Sequence, residues 1–378
     1  MIRFLWHVYR KVLRATWLVF GWSGIFLRTL YVMPLRVVAI HGLLLLDHIF
    51  FPRFRAAEVH APLFLFGHPR SATTFLHRLL TSTGQWGAFR YWHLLMPSLT
   101  GRVLMAPLVR WLVRRGRDVF YPKEVGHELR LDSVEEDELL FLHVLNSQFM
   151  AVTTAWGLGD EDFEEMVFWD SQPEAVRRIT MRFYRECLRR QVYFTKVPRL
   201  ACNANYSAMR LRSILQVFPQ AKILYLVRSP LETIPSHLTL HRNMFHHAFG
   251  RHRVPEDRLR RYALRRYRAN VAYYRYVEDL FAQGILHPGN CLVITYEELR
   301  NNLVEVGERI GRFSGCPFEP ALQKAFREAA QAQLGYRRPH CNAPLESFGL
   351  REEDIVRDLG FVLEKYGWGP TQGGKNGR

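Results

Sequence analysis

Residues 66–80 read FGHPRSATTFLHRLL. The apolar run that ends at Phe66 suits a strand buried on both faces of a parallel sheet, and it predicts a strand over Leu63–Gly67. A Gly, a Pro and several small or hydroxylated residues follow, and the helical pattern after them predicts a helix over Thr73–Thr81. Strand, tight loop and helix N-terminus together present backbone N–H groups and partial positive charge, which is how proteins hold a phosphate-like anion. Ser71, Thr73 and Thr74 can add hydroxyl donors, and Arg70 offers a planar fork to two oxygens. A nucleotide-triphosphate loop would need a Lys followed by a Mg²⁺-binding Ser or Thr, and neither spacing is met. The structural alternative is an ordinary strand–turn–helix with an Arg in its loop.

Three further β-rich runs occur at residues 192–196 (VYFTK), 221–227 (AKILYLV) and 291–296 (CLVITY), separated by helical patterns such as 205–218 and 261–283. Strands alternating with helices predict an α/β fold with a mostly parallel sheet. In such sheets ligands sit beyond the carboxyl ends of the strands. The opening loop, Lys196 and Arg228 each follow a predicted strand, so the three are expected to converge. In YLVRSPLETIPSHL, residues 225–238, Ser236 lies eight residues after Arg228, inside a helix that begins near Pro230. LDSVEEDELLFLHVL, residues 131–145, predicts a helix with Asp132 or Ser133 near its N-cap.

In this order the elements resemble the sulfotransferases that use 3′-phosphoadenosine 5′-phosphosulfate (PAPS), and most of all a bacterial branch of them. PRSATT is similar to that family's 5′-phosphosulfate loop, Pro-Arg/Lys-Ser-Gly-Thr-Thr, with Ala72 in place of the Gly. The strand, Arg228 and Ser236 match its 3′-phosphate element. The Lys-x-Pro of TKVPRL, the Tyr-Glu-x-Leu of TYEELRNN and a late FGL come in the same order, so the resemblance spans roughly residues 46–368.

The resemblance implies a P-loop NTPase-like three-layer fold, a central parallel sheet flanked by helices. It implies PAPS as co-substrate and no metal. Arg70, Ser71, Ala72, Thr73 and Thr74 would bind the 5′-phosphosulfate, and Arg228 and Ser236 the 3′-phosphate. Lys196 would reach the bridging oxygen, its alternative being an exposed lysine at a strand end. The family often places a Glu about twenty residues beyond the loop, in the segment that here reads FRYWHLLMP. His93 stands there, so His93 is the expected general base, with Arg70 and Lys196 as its catalytic partners. Glu135, Glu136 and Glu138, or His127–Glu128, are the alternatives. Because Ala72 and His93 depart from the pattern, a pseudoenzyme that keeps the fold without the chemistry is a second reading.

The chain has 378 residues, 48% of them hydrophobic, and can build one large α/β domain with embellishments or two smaller ones. A formal charge of +17 implies an anionic partner. Five scattered Cys read as reduced thiols in a cytosolic compartment, not as a disulfide framework or a zinc site. Before Leu46 there are six basic residues, no acidic ones and abundant Trp, Phe and Leu. The longest uncharged stretch there, residues 15–27, is too short to span a bilayer comfortably, and Arg28 and Arg36 interrupt the apolar residues beyond it. Such a composition suits an interfacial helix on an anionic leaflet. The alternative is a pair of core helices with a basic outer face.

The expected organisation is therefore a membrane-interfacial arm at 1–50, a sulfotransferase domain at 51–370 and a disordered tail at 371–378. The expected location is cytoplasmic and peripheral, on the inner face of the membrane. The expected partners are a small-molecule or lipid acceptor and an anionic membrane surface. Nucleic acid is not expected, since it would leave the two anion elements unexplained; the eight Arg of residues 251–270 read as a solvated helix face, with guarding the cofactor's 3′-phosphate or touching lipid head groups as alternatives. Residues 85–190 are expected to shape the acceptor pocket, and the residue types there fit a lipid, a sugar or a phenol equally.

Overall fold

The computed structural model describes residues 2–122, 125–126, 128–335 and 341–368. Its strands are β1 (Leu63–Gly67), a small antiparallel pair β2 (Val119–Tyr121) and β3 (Leu129–Arg130), then β4 (Ala201–Asn203), β5 (Lys222–Val227) and β6 (Cys291–Thr295). The main sheet has the order β4-β1-β5-β6, and every pairing in it is parallel. Side chains alternate between its faces, as the pleat requires. Phe64, Phe66, Ile223, Tyr225 and Val227 enter one core, while Leu63, Leu65, Leu224, Leu226 and Ile294 enter the other. This is the three-layer, P-loop-like α/β architecture, with a parallel sheet covered on both sides.

The helices are α1 (Ile2–Phe20), α2 (Gly24–Phe50), α3 (Thr73–Thr81), α4 (Tyr91–Leu95), α5 (Leu99–Arg114), α6 (Phe149–Thr153) and α7 (Glu174–Thr195). After them come α8 (Leu211–Val217), α9 (Pro230–Phe249), α10 (Glu256–Ala282), α11 (Tyr296–Asn301), α12 (Leu303–Ser314), α13 (Pro320–Leu334) and α14 (Glu352–Lys365). Leu76 and Leu80 of α3, Val306 and Ile310 of α12 and Phe326 of α13 close the smaller core. Helices α1, α7, α9, α10 and α14 supply most of the larger one.

Three local expectations are corrected. Residues 192–195 complete α7 instead of forming a strand: Gln191 and Val192 are buried on that helix, and Lys196 caps it in the left-handed region at φ 62°. The fourth strand is Ala201–Asn203, which pairs with β1 alone. Residues 131–145 form no α-helix. A 3₁₀ segment, Asp137–Val144, occupies them, and the backbone before it is tied down by the Glu135 N–H donating to the Phe89 carbonyl at 3.1 Å.

The arm is continuous with the domain. Val8 and Val12 of α1 are fully buried in the larger core, while Lys11 and Arg14 pair with Glu165 and Glu161 at 2.7 and 2.9 Å. Helix α2 is fastened by Asp47, also fully buried. Its carboxylate accepts from the Ser98 hydroxyl, the Leu99 and Thr100 amides and Arg190 Nε, at 2.7–3.0 Å. Burial would raise the pKa of Asp47, but the Thr100 amide, Arg190 and the two hydroxyls outweigh it and hold the group below its ordinary value. Asp47 thus caps the N-terminus of α5 and ties it to α2 and α7. Severing a buried pair of this kind typically costs about 3–5 kcal/mol.

One exposed stripe of α2 carries no charge, while Arg28 and Arg36, also exposed, lie on the side that lines the cavity. Tyr31, Leu35, Val38, Leu45 and Ile49 are between 65% and 69% exposed. By length and composition α2 is the one helix among the described residues apolar enough to cross a membrane. Val103, Leu104, Leu108 and Trp111 add exposed apolar surface on α5, which packs beside it. The Arg-rich stretch 251–270 is only in part a solvated face: Arg251, Arg253, Arg260 and Arg268 are exposed, but others are engaged. Arg258 and Arg261 pair with Asp160, Arg265 donates to the Gly157, Gly159 and Glu161 carbonyls, and Arg266 is buried against Gln148.

Candidate active site

The site is set by sheet register. Gly67 lies opposite Leu226 and Val227 opposite Thr295, so the turns leaving β1, β5 and β6 emerge side by side. The first leads into α3, the second into α9 and the third into α11, and the start of α3 and the start of α9 bring two helix N-termini toward one place. At the base of the first turn a Cβ on Gly67 would lie 2.6 Å from the Leu226 carbonyl oxygen, so only glycine allows β1 and β5 to approach there. Within the turn Arg70 and Ala72 both take positive φ, 79° and 66°. Ala72, at the position where the resembling loop has Gly, is thus in the left-handed conformation that Gly adopts most easily.

Arg70 donates from Nε to the Ser236 hydroxyl at 3.0 Å and from Nη1 to the Gly126 carbonyl at 3.3 Å. Arg228 donates from Nη1 to the Arg70 carbonyl at 3.2 Å, and its Nε donates to Glu232 at 2.6 Å. Its guanidinium stacks 3.9 Å over the Tyr296 ring, as the Val227–Thr295 pairing dictates for the residues that come next. The 5′ and 3′ anion elements of the sequence are therefore one continuous constellation.

They open into a cavity of about 1460 Å³. One end is lined by Pro69, Arg70, Ala72, Thr73 and Thr74 of the loop and by Arg228, Ser236, Tyr296 and Arg300. Elsewhere the wall is mainly apolar, with Phe120, Leu142, Leu145, Phe149, Met244 and Phe249 among its residues. One side is α2 itself, through Ile25, Arg28, Thr29, Val32, Met33, Arg36 and Val37. Ser71 is fully buried under the loop, and among the described residues its hydroxyl has no hydrogen-bond partner. A buried hydroxyl, flanking guanidiniums and helix N-termini fit the phosphosulfate of PAPS, and Arg228 with Ser236 fit its 3′-phosphate.

Two expected residues lie elsewhere. His93 does not line the cavity; it is buried against Trp92 and Phe194, with ring centroids 4.3 and 5.3 Å away, and its Nδ1 accepts from the Arg90 amide at 3.2 Å. Burial, with Arg102 and Arg90 nearby, pushes its pKa well below the ordinary imidazole value. Lys196 does not line the cavity either: as the cap of α7, it stacks its ammonium 4.0 Å over Tyr193.

Of the alternative bases, Glu138 is fully buried and accepts from Ser207, Arg210 and the Gln148 amide, a structural network. Glu128 pairs with Arg130 at 3.1 Å, and His127 lies outside the described residues, as does the 371–378 tail. Glu135 and Glu136 both line the cavity. Glu135 is pinned by Arg78 at 2.6 Å, while Glu136 receives a long contact, 3.5 Å, from Asn205 just past β4.

Sequence reasoning passed over Glu232, Tyr296, Arg300 and the two arginines of α2. The Arg228–Glu232 spacing of four across the start of α9 was a visible signal. Nothing local marks Arg28 or Arg36 as cavity residues. Among the described residues no cluster of His, Cys, Asp and Glu is arranged to hold a metal.

Comparison with known proteins agrees with this geometry. The model of the sulfotransferase family matches residues 62–320. The omega-hydroxy-beta-dihydromenaquinone-9 sulfotransferase Stf3 of Mycobacterium tuberculosis is 28% identical over 325 residues, 81% of this chain and 75% of its own, as is its Mycobacterium bovis counterpart. Among solved structures, sulfotransferase STF9 from Mycobacterium avium superposes with a TM-score of 0.70 over 95% of both chains at 17% identity. STF1 from M. tuberculosis does so with 0.68 over 93% of this chain and 92% of its own at 16% identity, and both likenesses concern the fold. The family match covers more than half of the chain and includes the loop, both strand-end arginines and Ser236; the chain belongs to the sulfotransferase family and is an enzyme of sulfuryl transfer.

Proposed function

We propose that the enzyme transfers a sulfuryl group from PAPS to a hydroxyl of an amphiphilic acceptor seated in the apolar part of the cavity. The observation that carries this reading is the junction of Arg70, Ser236 and Arg228 at one end of a cavity whose remainder is mostly apolar. Bound PAPS would supply the sulfuryl group and a stable leaving phosphate. Arg228 and Ser236 hold the 3′-phosphate. Arg70, the Ser71 hydroxyl and the amides at the start of α3 stabilise negative charge as it grows on the 5′ side. Glu136 takes the proton of the acceptor hydroxyl as its oxygen bonds to sulfur, and Glu135, held by Arg78, positions the turn that presents it. Glu136 replaces His93 in this role because it faces the cavity and His93 does not.

The acceptor is read from the wall. A long apolar lining favours an acceptor with a hydrocarbon portion over a sugar, and Stf3, by its name, acts on a hydroxylated dihydromenaquinone. The uncharged outer stripe of α2 and the exposed apolar residues of α5 support a peripheral seat on the cytoplasmic leaflet, where such an acceptor is at hand. A membrane-attached pseudoenzyme would share the fold, but Glu136 in the cavity favours catalysis.

The test is nucleotide selectivity. Purified enzyme should bind 3′-phosphoadenosine 5′-phosphate (PAP) more tightly than AMP by at least about tenfold, the worth of one charge-assisted contact set. Arg228→Ala should abolish most of that preference in calorimetric titration. Equal affinities in the wild type would overturn the donor assignment.

A further inference from the structure

Two arginines of α2, Arg28 and Arg36, a little over two helical turns apart, line the cavity while staying open to solvent. Their surroundings on that wall are Ile25, Val32, Met33 and Val37. Among the described residues neither arginine makes a hydrogen bond or an ion pair, whereas Arg70 and Arg228 of the donor end are both engaged. The only acid on α2, Asp47, is committed to Arg190 and the start of α5. Burial lowers the pKa of Arg36, the Tyr91 hydroxyl works against that shift, and Arg28 adds to it, so the two cations sense each other. Two unpaired like charges on one apolar wall attract an anion that can seat its hydrocarbon beside them.

From this arrangement we infer that Arg28 and Arg36 form a second anion site, which binds an acidic group of the acceptor itself. The ligand class is an acidic amphiphile, a hydrocarbon chain bearing a phosphate or carboxylate in addition to the hydroxyl that receives sulfate. The apolar wall takes the chain, the paired guanidiniums take the acid, and the hydroxyl is left to the Glu136 end. Two arginines suit this task because each offers a planar fork to oxyanions and neither loses its charge at working pH. The inference rests on the sulfotransferase reading above for the hydroxyl's fate, but the anion site stands on the α2 wall alone.

The test uses full-length enzyme and three probes: dodecyl phosphate below its micellar concentration, dodecanol, and inorganic phosphate. Binding is measured by calorimetry, with PAP at saturation to block the donor phosphates and again without it. Dodecyl phosphate should bind at least about tenfold more tightly than dodecanol, the scale of one lost charge-assisted hydrogen-bonding partner. Inorganic phosphate at the same concentration should not displace it. The double variant Arg28→Gln with Arg36→Gln should erase the preference while dodecanol and PAP affinities stay unchanged.

Equal affinity for the two amphiphiles overturns the proposal, and so does a preference that survives the double variant. Displacement by inorganic phosphate alone would mean a free-anion site, which also overturns it. If the variant weakens binding to phosphatidylglycerol vesicles yet keeps the dodecyl phosphate preference, the arginines address lipid head groups outside the cavity and the proposal falls. Failure of PAP to bind would count against the donor assignment only, because the amphiphile comparison is also read without it.

Discussion

Arg70 and Ser236 stand 166 residues apart in the chain and share a hydrogen bond of 3.0 Å. One belongs to the turn after β1 and the other to the second turn of α9, so the bond joins directly the two elements proposed to hold the donor's phosphates. Residues that share a partner in this way do not act independently. Removing Arg70 alone and Ser236 alone should each weaken PAP binding, and the double variant should cost less than the sum. A double-mutant cycle on PAP affinity should give a coupling of about 0.5–3 kcal/mol. Strict additivity would show that the bond has no part in donor binding.

Proton removal is assigned to Glu136. Glu136→Gln should lower kcat by roughly 10²-fold or more and leave PAP affinity nearly unchanged, as for loss of a general base. His93→Gln should lower thermal stability and leave the pH profile of kcat/KM in place, because the ring is buried beside Trp92. The reverse pattern, an active Glu136 variant and a flattened profile in the His93 variant, would return the role to the imidazole.

Ala72 stores strain in the loop. A left-handed alanine costs about 1–2 kcal/mol, and glycine there would relieve it against a loss of roughly 0.4–1 kcal/mol from unfolded-state freedom. Ala72→Gly should thus be neutral or stabilising by up to about 1 kcal/mol, with PAP affinity kept. Ala72→Val, β-branched at φ 66°, should be clearly destabilised. Chemical denaturation of the three proteins decides it; a glycine variant less stable than a valine variant would refute the strain.

Acid should weaken the fold early. Burial holds His68 and His77 down to about 4 and His143 to about 3, and it pushes His237 and His241 well below the ordinary value. Each is neutral in the folded protein and protonates in the unfolded one below about pH 6.5, so stability is complete above that pH and falls toward pH 4. Asp137, pushed up to about 7 by burial, and the buried Glu138, also raised, act in the opposite direction, but the histidines outnumber them. Urea midpoints should drop between pH 7 and pH 5, with a slope steeper than the roughly 1.4 kcal/mol per pH unit of a single group. A flat midpoint across that range would contradict the buried, neutral histidines.

The parts of this site that were legible in sequence are those set by local rules. The apolar run, the small-residue turn and the helix start from 63 to 81 appear with the predicted bounds, because each step depends on near neighbours. The Arg228–Ser236 spacing was equally local. The misreading at 192–196 came from Val, Tyr, Phe and Thr, good strand formers that the packing of a 22-residue helix overrides. The true edge strand, Ala-Cys-Asn, carries almost no strand signal, since β1 alone holds it. His93 sits at a plausible distance along the chain, but α4 turns its ring into the aromatic packing, which no spacing reveals. The cavity role of α2 was invisible because it depends on a helix folding back over a sheet that begins after it.

That helix has a consequence for how the enzyme can change. The residues matching the family begin at 62, and one wall of the cavity is written entirely before that point. The proposed acceptor pocket is therefore shared between α2, before residue 62, and Phe120, Leu142, Phe149 and Met244 within the family-matching stretch. Substitutions along Ile25, Arg28, Val32, Met33, Arg36 and Val37 can reshape what is sulfated without altering a residue of the donor loop. A chain trimmed to begin at residue 62 would lose the α2 wall of the cavity and, with it, Asp47, the buried partner of Arg190.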